Sequence, residues 1–141
     1  MLVNKKEFTT DLAANYSEMK KFGIEKRAAL YFLPSYEWFN DSITNWTNEM
    51  GLHLINFTPG TKSNADYTYP GEKNYRSSDI IYQSITDYEN KYAAGLNGFI
   101  LLLHIGTDER RTDKMYNRLS SLISYLKLKG YQFITIDQLL E

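Results

Sequence analysis

The 141-residue chain contains no cysteine. That excludes a disulfide framework and a thiolate metal site. It fits a reducing compartment, but exported enzymes also dispense with cysteine, so the compartment stays open. Histidine occurs only twice, at positions 53 and 104. There is no His-x-x-x-His pair, and zinc catalysis usually takes three protein ligands. No apolar run approaches the roughly 20 residues of a membrane span, and Met1 to Glu7 holds no apolar signal core. Charge of one sign is also missing: the net value is −1. Non-specific nucleic-acid binding needs a basic face, so that class is excluded. The pairs Lys5-Lys6, Lys20-Lys21 and Arg110-Arg111 read as solvated helix faces and loop edges. No repeat, low-complexity tract or domain linker interrupts the chain.

What is present is a globular composition, 43% hydrophobic and 23% charged, with twelve Tyr, seven Phe and two Trp. Helical and strand patterns alternate. Apolar residues at helical spacing predict helices over Glu7–Phe22, Asp41–Met50, Asp79–Tyr92 and Thr112–Lys129. Asn40 and Ser77 or Ser78 are suited to cap two of them, and Gly23, Gly51 and Gly130 to stop three. Ala28–Leu33, Leu52–Phe57, Phe99–His104 and Tyr131–Ile136 predict strands, and Asp137 is placed to cap a final turn. This order implies an α/β fold with parallel strands and right-handed crossovers. Four strands make a small sheet or about half of an eight-stranded barrel.

In such folds, groups at the C-terminal ends of strands meet on one rim. The loops there are Pro34–Trp38, Thr58–Tyr67 and His104–Asp108. No phosphate-cradling loop, dinucleotide fingerprint or nucleophile elbow occurs among them. His104 closes a five-residue apolar run, Phe99–Leu103. It is a candidate general acid or base, or a metal ligand, beside the plainer reading of a strand-end histidine bonded to a backbone carbonyl. His53 lies early in its strand, toward the opposite rim, and reads as structural. Glu37, Asp66 and Asp108 could hold a hard cation, but loop carboxylates are usually solvated or cap helices. The sequons at Asn40, Asn45 and Asn56 are what an Asn-rich chain contains by chance.

Three segments in order resemble motifs of the polysaccharide deacetylase family, the NodB-homology type of carbohydrate esterase. Phe99-Ile-Leu-Leu-Leu-His104 resembles its last motif, an apolar strand ending in Leu-x-His. Tyr31-Phe-Leu-Pro34-Ser-Tyr36 resembles its third, an aromatic followed by Arg-Pro-Pro-Tyr. Leu54 to Tyr67 falls where its Asp-x-Trp motif is expected. The resemblance covers nearly all of this chain and the C-terminal half of the family domain, so residues 1–141 read as one partial domain.

The resemblance implies a distorted (β/α) barrel and hydrolysis of N-acetyl groups on a polysaccharide. A divalent metal, usually zinc, would be held by one Asp and two His. It makes His104 the proton donor to the departing amine and Asp66 the residue orienting it. The backbone N–H near Tyr36 would help hold the oxyanion. Tyr36, Glu37, Trp38, Tyr67, Thr107 and Asp108 would contact the sugar. The chain departs from the pattern too. Leu33 stands for the arginine, Ser35 for the second proline, and no Trp follows Asp66 at the expected distance. The paired aspartates and the two metal histidines of the first motifs are absent. No metal is therefore expected to be fully ligated by this chain, which is expected to be inactive alone. The alternative is a non-catalytic carbohydrate-binding or interaction module. Open strand edges would invite a second copy. Family members are usually exported, which leaves localisation undecided here.

Overall fold

Helix α1, Lys5–Lys21, starts where Asn4 and Glu7 bond reciprocally. Asn4 Oδ1 accepts the Glu7 N–H at 3.0 Å, and Glu7 Oε2 accepts the Asn4 N–H at 2.9 Å. This capping box satisfies two otherwise orphaned donors. It explains why the helix begins two residues before the apolar periodicity does. The computed structural model describes residues 3–140, so Met1, Leu2 and Glu141 of the sequence reading lie outside the described residues.

After α1 come strand β1 (Tyr31–Phe32), helix α2 (Asp41–Glu49), strand β2 (His53–Leu54), helix α3 (Ser78–Lys91), helix α4 (Leu119–Leu128) and helix α5 (Ile136–Leu140). Strands β1 and β2 pair in parallel, Tyr31 opposite His53 and Phe32 opposite Leu54. The fold is thus mixed helix and parallel strand. Its contacts gather into two compact units, one reaching to Asn56 together with Leu140, the other Phe57–Leu139.

In the first unit, α1 buries Leu12, and the Phe8 ring meets Phe32 and Trp46 with centroids 5.8 Å away in each case. The Tyr16 hydroxyl donates to the Ala29 carbonyl at 2.5 Å, and burial pushes its pKa up. The predicted stripe fails at its end: Phe22, the C-cap, is largely exposed. Asn40 caps α2 as expected, accepting the Ile43 N–H at 3.0 Å. His53 is exposed and lies against the Tyr31 ring, centroids 5.6 Å apart.

In the second unit, Ile81, Ile85, Leu96, Met115, Leu122 and Leu126 form the core. They come from one face of α3, one face of α4 and the turns between. Ser77 caps α3, its hydroxyl accepting the Ile80 N–H at 3.3 Å. The predicted helix over Thr112–Lys129 is shorter than expected. It begins as a tight 3₁₀ turn at Met115–Arg118 and is α-helical only from Leu119. Asp113 is drawn instead into hydrogen bonds with Ser78 at the start of α3, described below.

Two predicted strands need correction. Phe99–His104 and Tyr131–Ile136 form no regular strand. Phe99–His104 is tied to Thr58 by the Thr58 N–H to Ile100 O bond at 2.9 Å and by the Ile100 N–H to the Thr58 hydroxyl at 3.1 Å. An apolar run dictates burial, and Phe99, Leu101 and Leu103 do pack on the core. A strand also needs a ladder partner, which the run itself does not supply. Ile136 opens α5 rather than ending a strand, and Asp137 sits in its first turn instead of capping it.

Candidate functional site

Asp66 ends a 3₁₀ turn, Ser63–Ala65, and is 1% exposed. The turn is held locally. Thr61 and Ser63 hydroxyls bond at 3.1 Å, and the Ser84 hydroxyl on α3 accepts the Lys62 N–H at 3.0 Å. A buried carboxylate must be satisfied by donors. Here one residue supplies both: Asp66 Oδ2 accepts the His104 N–H at 2.7 Å, and Oδ1 lies 2.6 Å from His104 Nδ1. Because a carboxylate only accepts, the network assigns the proton to Nδ1. Nε2 is then the ring nitrogen not committed to Asp66, on a side chain 30% exposed. The Tyr67 ring stands edge-on to the imidazole, centroids 5.4 Å apart.

The sequence thus placed His104, Asp66 and Tyr67 in one list, and the fold puts them in contact. Thr107 and Asp108 lie in the same unit but are engaged by their own loop. Lys114 Nζ donates to the Thr107 hydroxyl at 2.8 Å and to the Asp108 carbonyl at 2.7 Å. The Asp108 carboxylate accepts from Arg110 Nε at 2.9 Å and Nη2 at 2.7 Å. That bidentate pairing holds Asp108 well below the usual carboxylate range and Arg110 above its ordinary value. The Arg110 guanidinium also covers the Tyr69 ring at 3.6 Å.

Tyr36, Glu37 and Trp38 belong to the first unit. Tyr36 is 84% and Trp38 75% exposed. Tyr36 and Glu37 both adopt left-handed backbone, φ 57° and 58°. Non-glycine residues there are strained, and such strain clusters at functional sites. The Asn56 amide braces the turn, donating to the Glu37 carbonyl at 3.0 Å. The Glu37 and Trp38 N–H groups donate to Pro34 and Ser35 carbonyls at 2.9 and 3.4 Å. They are spent on the turn rather than presented to an oxyanion. Beside it, Glu37, Trp38, Phe39, Ile43 and Trp46 line a hollow of about 560 Å³.

The residues present do not make the metal donor set that the resemblance implies. His104 commits Nδ1 to Asp66. Among the described residues, no three His, Asp or Glu side chains gather as a metal site.

One group was misread from sequence. Arg111 is not solvated: it is fully buried, 0% exposed. Its Nη1 donates to the carbonyls of Thr68 at 2.6 Å and Arg76 at 3.1 Å, and Nη2 to the Ser78 hydroxyl at 3.0 Å. Asp113 accepts the Ser78 N–H at 2.7 Å, and its carbonyl accepts the Ser78 hydroxyl. Burial pushes the Asp113 carboxyl up. The Ser78 N–H, the Tyr75 hydroxyl and the Arg111 charge together outweigh that and leave it below its ordinary value. A double arginine between carboxylates carries no periodicity that separates its buried member from its exposed one.

Compared with protein-family models, curated proteins and solved structures, the chain finds no match.

Proposed function

We propose that this chain carries the proton-donating histidine of a carbohydrate N-deacetylase site, in a domain of the polysaccharide deacetylase type built on part of a (β/α) barrel. The observation that supports this is the Asp66–His104 pair. A buried carboxylate fixes the tautomer and the ring plane, and Nε2 is not committed to it, on a side chain that is partly exposed. In that arrangement Nε2 first takes up a proton, the Asp66 carboxylate stabilises the imidazolium so formed, and the same nitrogen then hands the proton to the departing amine. Tyr67 would offer its ring to a sugar face. The metal-bound part of the reaction has no donor set in these residues, so the chain alone is proposed to be inactive.

An N-acetylated chitin oligomer titrated into the labelled protein should shift the His104 and Tyr67 resonances, and its de-N-acetylated counterpart should not. The 141-residue chain should release no acetate with divalent metal present. A version extended upstream by a segment bearing paired Asp and His-x-x-x-His should release it. His104→Ala in that version should slow release by about 10²–10⁴-fold, the usual worth of general acid catalysis. Acetate release by the short chain, or an unaffected His104→Ala, would refute the reading.

A second reading, a carbohydrate-binding module without catalysis, is favoured by the first unit. There Tyr36 and Trp38 stand exposed on a strained, braced turn. Under that reading Trp38→Ala abolishes oligomer binding while His104→Ala leaves it intact.

A further inference from the structure

The two arginines that follow the His104 loop do different work. Arg110 stays at the surface, paired with Asp108 and laid on Tyr69. Arg111 is inside, and its three acceptors are not random neighbours. Thr68 lies just past Asp66, at the near end of the loop that runs to α3. Arg76 and Ser78 mark the far end of that loop, where α3 begins. The clasp is closed by Asp113, which takes the Ser78 N–H from the same side. One guanidinium therefore ties both ends of the Asp66-bearing loop to the segment that follows His104.

We infer that Arg111 is a positioning residue: without touching either group, it holds the Asp66 carboxylate in register with His104. A buried charge is weak support for stability, because apolar packing of the same volume often serves as well. What apolar packing cannot supply is direction. The planar guanidinium sends donors to three oxygens in a fixed fork, whereas an ammonium is a point charge on a flexible stem. Asp66 itself is braced by the Ser63–Ala65 turn and the Thr68 N–H to Ala65 carbonyl bond at 3.1 Å, so what Arg111 adds is the anchoring of the stretch beyond it. Residues 69–77 contain no helix or strand, and their backbone is pinned by short turns at Glu72 and Tyr75. The functional weight of this role rests on the proposed reading of the Asp66–His104 pair; the geometry it predicts does not.

The test reads His104 directly. In the native protein, its Nδ1–H should give a low-field proton resonance, and ¹⁵N shifts should show the Nδ1–H tautomer; His53→Gln assigns the signal. Arg111→Lys should lose that resonance and mix the tautomers. Leu122→Ala, which opens a cavity in the core of the same unit, should lower the thermal midpoint yet keep the resonance. Retention in Arg111→Lys, or loss in Leu122→Ala, would overturn the inference.

A measurement on the unaltered chain guards against a variant that does not fold. The His104 amide bonds to Asp66 and the Ser78 amide to Asp113, so a single clasp should give both the same hydrogen-exchange protection. Fast exchange at His104 with Ser78 protected would equally overturn it. No substrate enters any of these readouts. Failure of oligomer binding would therefore sink the proposed function and leave this inference standing.

Discussion

A buried carboxylate is tolerable only when both oxygens find donors, and at Asp66 a single residue provides them. Asp66→Asn keeps the shape but offers one acceptor and a donor amide. Either the His104 amide or its Nδ1–H must then lose its partner. The expected result is a loss of about 1–3 kcal/mol in urea unfolding, with the imidazole moved to the Nε2–H tautomer, read from ¹⁵N shifts. Gly95 makes a sharper steric case. It sits at φ +52°, and a Cβ there would lie 2.2 Å from the Tyr131 hydroxyl, which accepts the Leu96 N–H at 2.8 Å. Gly95→Ala should therefore cost about 1–3 kcal/mol by overpacking and unseat that hydrogen bond, seen as faster exchange of the Leu96 amide. His104 and Asp66 were legible as residue types placed after apolar segments. Arg111 was not, since burial of a charge is decided by acceptors supplied from elsewhere in the chain.

Elements divide by how local their causes are. Asn40 and Ser77 could be read because a cap serves its own first turn. Ser77→Ala should cost about 1 kcal/mol, measured as a lower thermal midpoint with faster exchange at the Ile80 amide and unchanged exchange within α2. The faces of α3 and α4 were equally legible where period 3.6 held: Ile81, Ile85, Leu122 and Leu126 are all buried. Leu119, three residues before Leu122 and so at helical spacing with it, is exposed where the 3₁₀ turn passes into α4. The four expected strands shrink to two short ones. β-Structure is a property of pairs, so Phe99–His104 could announce its burial but not its ladder.

At the scale of the whole molecule, pH should close stability from both sides. Asp113 is held below its ordinary value, so its contribution is present above the unfolded carboxyl value of about 4 and is lost as pH falls. Tyr16 and Tyr75 are pushed up by burial, and Lys129 by its bond to Glu89. Their contributions are present below about pH 10 and lost as pH rises. Urea midpoints should be flat between about pH 5 and pH 9 and fall outside it. Asp113→Asn should flatten the acid limb, and a midpoint that rises below pH 4 would contradict this. By itself the sequence determined where α2 and α3 lie, the Asn40 and Ser77 caps, and the buried positions Ile81, Ile85, Leu122 and Leu126. These follow from spacing and residue type along a few turns of chain. Only the tertiary structure decided that Asp66 meets His104 and that Arg111 belongs to the interior. Each of those depends on which distant backbone oxygens and charges are brought within 3 Å, and no local pattern encodes that.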